Sequence, residues 1–152
     1  MTTSAKLIHD ISVSTARPFL KWAGGKSQLL PHLREVIPAR FNRYIEPFIG
    51  CGAMFFLLSH QNSVISDSNE ELIITYIAVR DNFKRVLRSL EKFVNDKENF
   101  YRTRALDVSR MSRIDRAARL IYLNKTCFNG LFRVNKKGQF NTPYNRWKFA
   151  AG

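Results

Sequence analysis

The chain has 152 residues, 45% of them apolar and 24% charged, which fits one globular domain with a modest core and excludes disorder, collagen and coiled coil. Lys and Arg number 25 against 12 Asp and Glu, and the formal net charge of +13 points to a polyanionic partner, nucleic acid first. Residues 101–152 carry 12 basic and 2 acidic side chains, a net of +10, against +3 for residues 1–100, so the polyanion is expected at the C-terminal third.

Residues 1–16 are polar, Ser/Thr-rich and aperiodic, and are expected to form a flexible arm. No apolar run approaches the roughly 20 residues that span a bilayer. The first residues also lack the basic start and apolar stretch of a leader, so a cytoplasmic protein without membrane contact is expected. After Gly24 and Gly25, the residues Leu29, Leu30, Leu33, Val36 and Ile37 recur at helical spacing, and Pro38 supplies a stop. Tyr44 to Phe48 and Val64 to Asp67 read as short strands, with a buried helix from Ala53 to His60 between them. Ser68 and Glu71 suggest a capping box for a helix carrying Leu72, Ile73, Tyr76, Ile77 and Val79, which completes a parallel crossover unit. A second amphipathic helix carries Phe83, Val86, Leu87, Leu90, Phe93 and Val94. A later one, opened by Ser112 and Asp115, carries Ile114, Ala117, Ala118, Ile121 and Tyr122. From Cys127 the helical period is lost, and Phe132 to Tyr144 mixes aromatic and basic residues around Lys136, Lys137 and Gly138 as a β-hairpin does. Cys51 and Cys127 lack a CxxC context, and His9, His32 and His60 are scattered, so neither disulfide nor metal is expected.

Phe19 to Ser27, FLKWAGGKS, imitates the end of a phosphate-gripping loop, but that loop needs a glycine where Leu20 stands, so nucleotide hydrolysis is a minor alternative. The stretch Tyr44 to Gly52 ends a strand in a glycine-x-glycine turn, where Gly50 and Gly52 let a ligand approach the backbone. Asp67 lies at the end of the next strand, where a carboxylate can accept both hydroxyls of a ribose. Alone it reads as a helix cap, but paired with the glycine turn it describes a site for an adenosine-containing ligand. Glu46 fits either a ligand contact or a residue that holds loop amides. Trp22 and Lys26, taken alone, read as a packing residue and a solvated charge.

FLKWAGGK at Phe19 to Lys26, EPFIGCGA at Glu46 to Ala53, SDSN at Ser66 to Asn69 and YLNKTCFNGLFRVNKKGQFNTPYNRWK at Tyr122 to Lys148 together resemble consecutive segments of Dam-type adenine-specific DNA methyltransferases. The resemblance implies an α/β, Rossmann-like S-adenosylmethionine-dependent methyltransferase core followed by a helical and β-hairpin DNA-recognition region. It implies that Trp22, Lys26, Glu46, Phe48, Gly50 and Gly52 line the S-adenosylmethionine pocket and that Asp67 holds the ribose. It divides the chain into a core half at 17–94 and a target-recognition region at 95–152, and makes Asn129, Arg133, Lys136, Lys137, Arg146 and Lys148 candidates for contact with double-stranded DNA. Composition agrees, because these cations alternate with Phe132, Phe140, Tyr144 and Trp147 as phosphate contact beside base stacking requires. Arg133 suits bidentate reading of guanine as well as it suits plain solvation, and Asn129-Gly130 suits a tight turn as well as a contact.

Methylation of adenine N6 requires the base to be extruded and its amine to be hydrogen-bonded, which the family does with an Asp/Asn-Pro-Pro-Tyr/Phe loop. The five prolines here, Pro18, Pro31, Pro38, Pro47 and Pro143, include no adjacent pair. Asn141-Thr142-Pro143-Tyr144 differs by one residue, but it lies inside the hairpin segment and is read as a decoy, so no catalytic residue is assigned. The expectation is an incomplete core that is inactive alone, leaves apolar sheet surface uncovered, and is marginally stable or dependent on a complementary C-terminal fragment. The alternative is a non-catalytic DNA-binding remnant.

Overall fold

The computed structural model describes residues 16–145. The arm expected before Ala16, and Arg146, Trp147 and Lys148, lie outside the described residues. Backbone contacts divide the chain into two compact units, one of residues 16–19 and 24–68, the other of residues 20–23 and 69–145.

In the first unit a 3-10 turn, Lys26–Leu29, runs into helix α1 (Leu30–Val36), where Pro31 sits in the first turn and lacks only an N–H that no helix would use there. The helix ends before Ile37, which is extended (ψ 130°) because Pro38 follows it. Strand β1 (Tyr44–Glu46), helix α2 (Ala53–Leu58) and strand β2 (Ser63–Ile65) form a strand-helix-strand unit. The strands pair in parallel, Tyr44 with Ser63, Ile45 with Val64 and Glu46 with Ile65. Strand β1 stops before Pro47, which has no N–H for the ladder, and β2 begins one residue before its expected run and ends at Ile65, short of Asp67. Ile49, Cys51, Ala53 and Leu58 are buried, and Phe56 meets Phe19 edge to face at 6.2 Å. Ile45 and Val64, side by side in register, are 60% and 40% exposed, so one face of this two-stranded sheet shows apolar surface.

The second unit is mostly helical. A run from Glu70 to Leu90, α3, is interrupted at Asn82, whose φ of −144° and ψ of 36° are non-helical. The interruption bends the run sharply. Glu71 bonds Arg116 and Ser89 bonds Asp115, although the two would stand about 27 Å apart on a straight helix. The two amphipathic helices of the sequence are therefore the halves of one broken run. Its cap is Asn69 and not Ser68: Asn69 Oδ1 accepts from the Leu72 N–H at 3.0 Å, while Glu71 turns to Arg116. Helix α4 (Lys97–Arg104), capped by Asp96, has no counterpart among the sequence expectations. Ser112 caps helix α5 (Arg113–Thr126) as expected: the Asp115 N–H donates to Ser112 Oγ at 3.1 Å, and that hydroxyl donates to the Asp115 carboxylate at 2.6 Å.

Helix α5 is the centre of this unit, with Ala117, Ala118, Leu120 and Leu123 at most 1% exposed. One core cluster joins Phe100 of α4 to Tyr122, Leu123, Cys127 and Phe140, and another joins Ala78 and Val86 of α3 to Ala117 and Ala118. Each leucine or phenylalanine so buried stabilises the unit by about 1.5–3 kcal/mol relative to exposure. After a short turn, Phe128–Gly130, the chain forms the expected hairpin, closed by antiparallel bridges between Val134 and Phe140 and between Cys127 and Tyr144. Its tip is set by Asn135, whose Oδ1 accepts from the N–H groups of Lys137 and Gln139, and by Gly138 at φ 74°.

Candidate functional site

The first unit gathers its chemistry where β1 and β2 end. Ile49 O accepts from the Gly52 N–H at 2.8 Å, closing a tight turn in which Gly50 and Gly52 adopt φ of 50° and 73°. That left-handed backbone is open to glycine and strained for most other residues. The Gly50 N–H donates to Asp67 Oδ2 at 3.1 Å, so the carboxylate at the end of β2 holds the turn that follows β1. Ser66 tightens the junction: its N–H donates to Glu46 O at 2.9 Å and its hydroxyl to Pro47 O at 3.1 Å. The sequence pairing of Gly50 with Asp67 is thus a direct contact.

Glu46 is 5% exposed and both its oxygens are engaged. Lys26 Nζ donates to Oε1 at 3.1 Å and the Tyr44 hydroxyl donates to Oε2 at 2.8 Å. Burial, then the bond and charge of Glu46, push the Tyr44 phenol well above its ordinary range. Lys26 Nζ also donates to Phe48 O at 3.1 Å, tying the Gly24-Gly25 segment to the exit of β1. Phe48 itself projects, 72% exposed.

In the second unit, Asn124 was missed by sequence reasoning. It is 1% exposed, and its carboxamide makes three hydrogen bonds. Oδ1 accepts from the Lys21 N–H at 2.8 Å, and Nδ2 donates to Lys21 O at 2.8 Å and to Gly130 O at 2.9 Å. This pins residues 20–23 against the turn after α5. Gly130, at φ 66°, has no room for a Cβ, which would stand 2.6 Å from Lys21 Cβ. Trp22 stacks on Phe132 with ring centroids 5.0 Å apart. The available signal was Asn124 itself, a polar residue on the otherwise apolar face of Leu120, Leu123 and Cys127.

Across the hairpin, Arg133 Nε donates to Asn141 Oδ1 at 2.8 Å, which steadies an otherwise exposed guanidinium. Lys136 and Lys137 are exposed at the tip, and Asn129, at φ 54°, forms the turn with Gly130. Thr142 is 2% exposed and its hydroxyl donates to Leu131 O at 2.7 Å, while Pro143 O accepts from the Phe128 N–H at 2.9 Å. Asn141, Thr142 and Pro143 are thus bonded within the hairpin, while Thr142 O accepts from Arg104 and the Tyr144 hydroxyl reaches Asn95. Cys127 is 2% exposed, and burial pushes its thiol up to about 11, so it stays protonated near neutrality. Among the described residues no cluster of His, Cys, Asp and Glu suited to a metal ion occurs, and no helix is long and apolar enough to cross a membrane.

The first unit is thus a parallel strand-helix-strand unit whose glycine turn is tied to an acid, and the second is a helical unit that carries a basic hairpin. The profile of the D12 class N6 adenine-specific DNA methyltransferases matches residues 22–150, and the chain belongs to that family. It is similar to a type II methyltransferase of Lactococcus lactis subsp. cremoris, 46% identical over 138 residues, covering 87% of this chain and 49% of that protein. A type II methyltransferase of Methanocaldococcus jannaschii is 39% identical over 153 residues, covering 87% of this chain and 53% of that protein. The DNA adenine methylase of Serratia marcescens is 39% identical over 137 residues, with 87% and 50% covered. The chain spans about half the length of the curated relatives it matches.

Proposed function

We propose that this chain supplies the methyl-donor site and the target-recognition surface of a site-specific DNA adenine-N6 methyltransferase that uses S-adenosylmethionine and acts on double-stranded DNA. The single observation that carries the reading is the bond from the Gly50 N–H to the Asp67 carboxylate at 3.1 Å. It sets a glycine turn that a ligand can approach beside an acid at a strand end. A carboxylate is the group that accepts both hydroxyls of a ribose, and this one stands against the turn that the ligand would approach. The Lys26–Glu46 pair then acts as a brace that fixes the turn after β1. Lys26 is thereby engaged by a carboxylate and a carbonyl, which disfavours the triphosphate-gripping alternative. Trp22 and Phe48 are assigned to donor contact on the family resemblance alone.

In this reading β1, α2 and β2 begin a Rossmann-like core, and the functional boundary lies near residue 94. Residues 95–152 read DNA through Asn129, Arg133, Lys136, Lys137, Arg146 and Lys148. When bound, S-adenosylmethionine supplies an electrophilic methyl group on its sulfonium. Transfer also needs an Asp-Pro-Pro-Tyr-type loop to hold the adenine amine, which these 152 residues do not contain. A polypeptide bearing that loop, in the same chain or a separate one, completes the enzyme.

Calorimetry with S-adenosylmethionine and with ATP tests the donor site. S-adenosylmethionine is expected to bind, and Asp67→Ala to weaken it at least about tenfold, as loss of hydrogen bonds to a ribose implies. Binding of ATP alone would replace the reading with a nucleotide hydrolase, and binding of DNA without any donor would leave only the DNA-binding remnant.

A further inference from the structure

We infer that the second half of α3 and the turn after it form a further DNA-contact surface, built from Lys84, Arg85 and Arg88 of α3, Lys92 just past its end and Arg113 of α5, that grips the phosphate backbone away from the hairpin. All five side chains are exposed. Ser89, which is 5% exposed, donates to Asp115 Oδ1 at 2.7 Å and holds this stretch beside the first turn of α5. Among the described residues none of the five lies within ion-pair distance of an acid, in contrast to Arg80 with Asp81, Arg110 with Asp107 and Arg116 with Glu70 and Glu71. The acids nearby are few. Asp115 takes hydrogen bonds from Ser112 and Ser89 and feels the charge of Lys92 and Arg85, and Glu91 stands next to Lys92 in the chain.

Five exposed cations outnumber the neighbouring acids, Asp81 being paired with Arg80, and call for an extended polyanion; the proposed function, on which this inference rests, supplies duplex DNA. Spacing agrees with a single duplex. The hairpin is fastened at the far end of α5, where Thr126 O accepts from the Asn145 N–H at 2.8 Å. Asp115 and Thr126 are separated by about 17 Å along the helix, or about five base pairs of duplex. The exposed Phe83 and Leu87 lie on the same stretch and would suit a lipid surface, so the test includes one.

The experiment measures the salt dependence of duplex binding by the 152-residue chain. Each phosphate contact contributes a slope of about 0.9 in log K against log salt, so replacing Arg85, Arg88 and Lys92 together by Gln is expected to reduce the slope by about 2.7, and each single replacement by about 0.9. The single replacements keep the test informative if the triple variant folds poorly. An unchanged slope overturns the inference, as does a lower melting temperature with the slope intact, which would mean that these charges only complement a helix end. Preferential binding to vesicles of anionic lipid, lost in the triple variant, also overturns it. Lys136→Gln with Lys137→Gln, measured in parallel, is expected to reduce the slope by about 1.8. If only the α3 variants lower the slope, the hairpin reading fails and this surface stands; if only the hairpin pair does, this surface falls alone.

Discussion

Gly130 shows at residue scale how little freedom the turn after α5 has. Its φ of 66° and the 2.6 Å that would separate a Cβ from Lys21 Cβ act in the same direction. Gly130→Ala is expected to destabilise the chain by about 1–3 kcal/mol, read as a lower urea midpoint with an unchanged slope. Asn129 makes the same turn from the left-handed region, which asparagine tolerates better than most residues. The Asn-Gly pair was legible in the sequence as a turn for this reason. What required it, the backbone of Lys21, was not legible, because nothing local to Phe19-Leu20-Lys21-Trp22 announces a partner 103 residues away. Glu46 presents the opposite case. The sequence left it between ligand contact and loop support, and its two engaged oxygens show how it supports Lys26 and Tyr44.

At the scale of elements, the cap of α5 makes a quantitative case. The Asp115 carboxyl is held below the ordinary range, first by the Ser112 hydroxyl and then by Ser89. A depressed carboxyl contributes stability above its unfolded value, 3.8, and that contribution is lost as pH falls through the lower folded value. Ser112→Ala is expected to cost about 1 kcal/mol at neutral pH and to flatten the decline of stability below about pH 4, measured by urea titrations at several acidities. This cap was readable because Ser-x-x-Asp directly precedes an apolar period. Helix α4 was not, since Lys97 to Arg104 fully buries only Phe100 and Thr103, with Tyr101 packed at the edge of the core, too few apolar positions to show a helical period. Its one local signal is Asp96 three residues before Asn99, whose N–H it accepts at 2.7 Å. Ser68 and Asn69 are both good caps, and where Asn69 caps, Glu71 pairs with Arg116, 45 residues on. That is a tertiary contact no local rule contains.

For the whole molecule, the strand-helix-strand order and the hairpin were visible in sequence, since glycine turns and changes of period mark them. The grouping of residues 20–23 with the helical unit was not visible. The apolar sheet face is open to direct measurement. Ile45 at 60% and Val64 at 40% exposure, with Phe48 nearby in sequence at 72%, should bind a hydrophobic dye under native conditions. Ile45→Thr, which keeps a β-branched side chain in the strand, is expected to lower dye emission clearly while leaving the helical circular dichroism unchanged. Undiminished emission would place the dye elsewhere.

The latch made by Asn124 also sets a schedule for synthesis. A ribosome adding about 5–20 residues per second completes Leu20–Ala23 some 5–20 seconds before Asn124 exists, since 103 residues separate Lys21 from its partner. Throughout that interval the nascent segment has nowhere to dock, and its tryptophan is accessible to chaperones. Seating it therefore waits until α5 has been made.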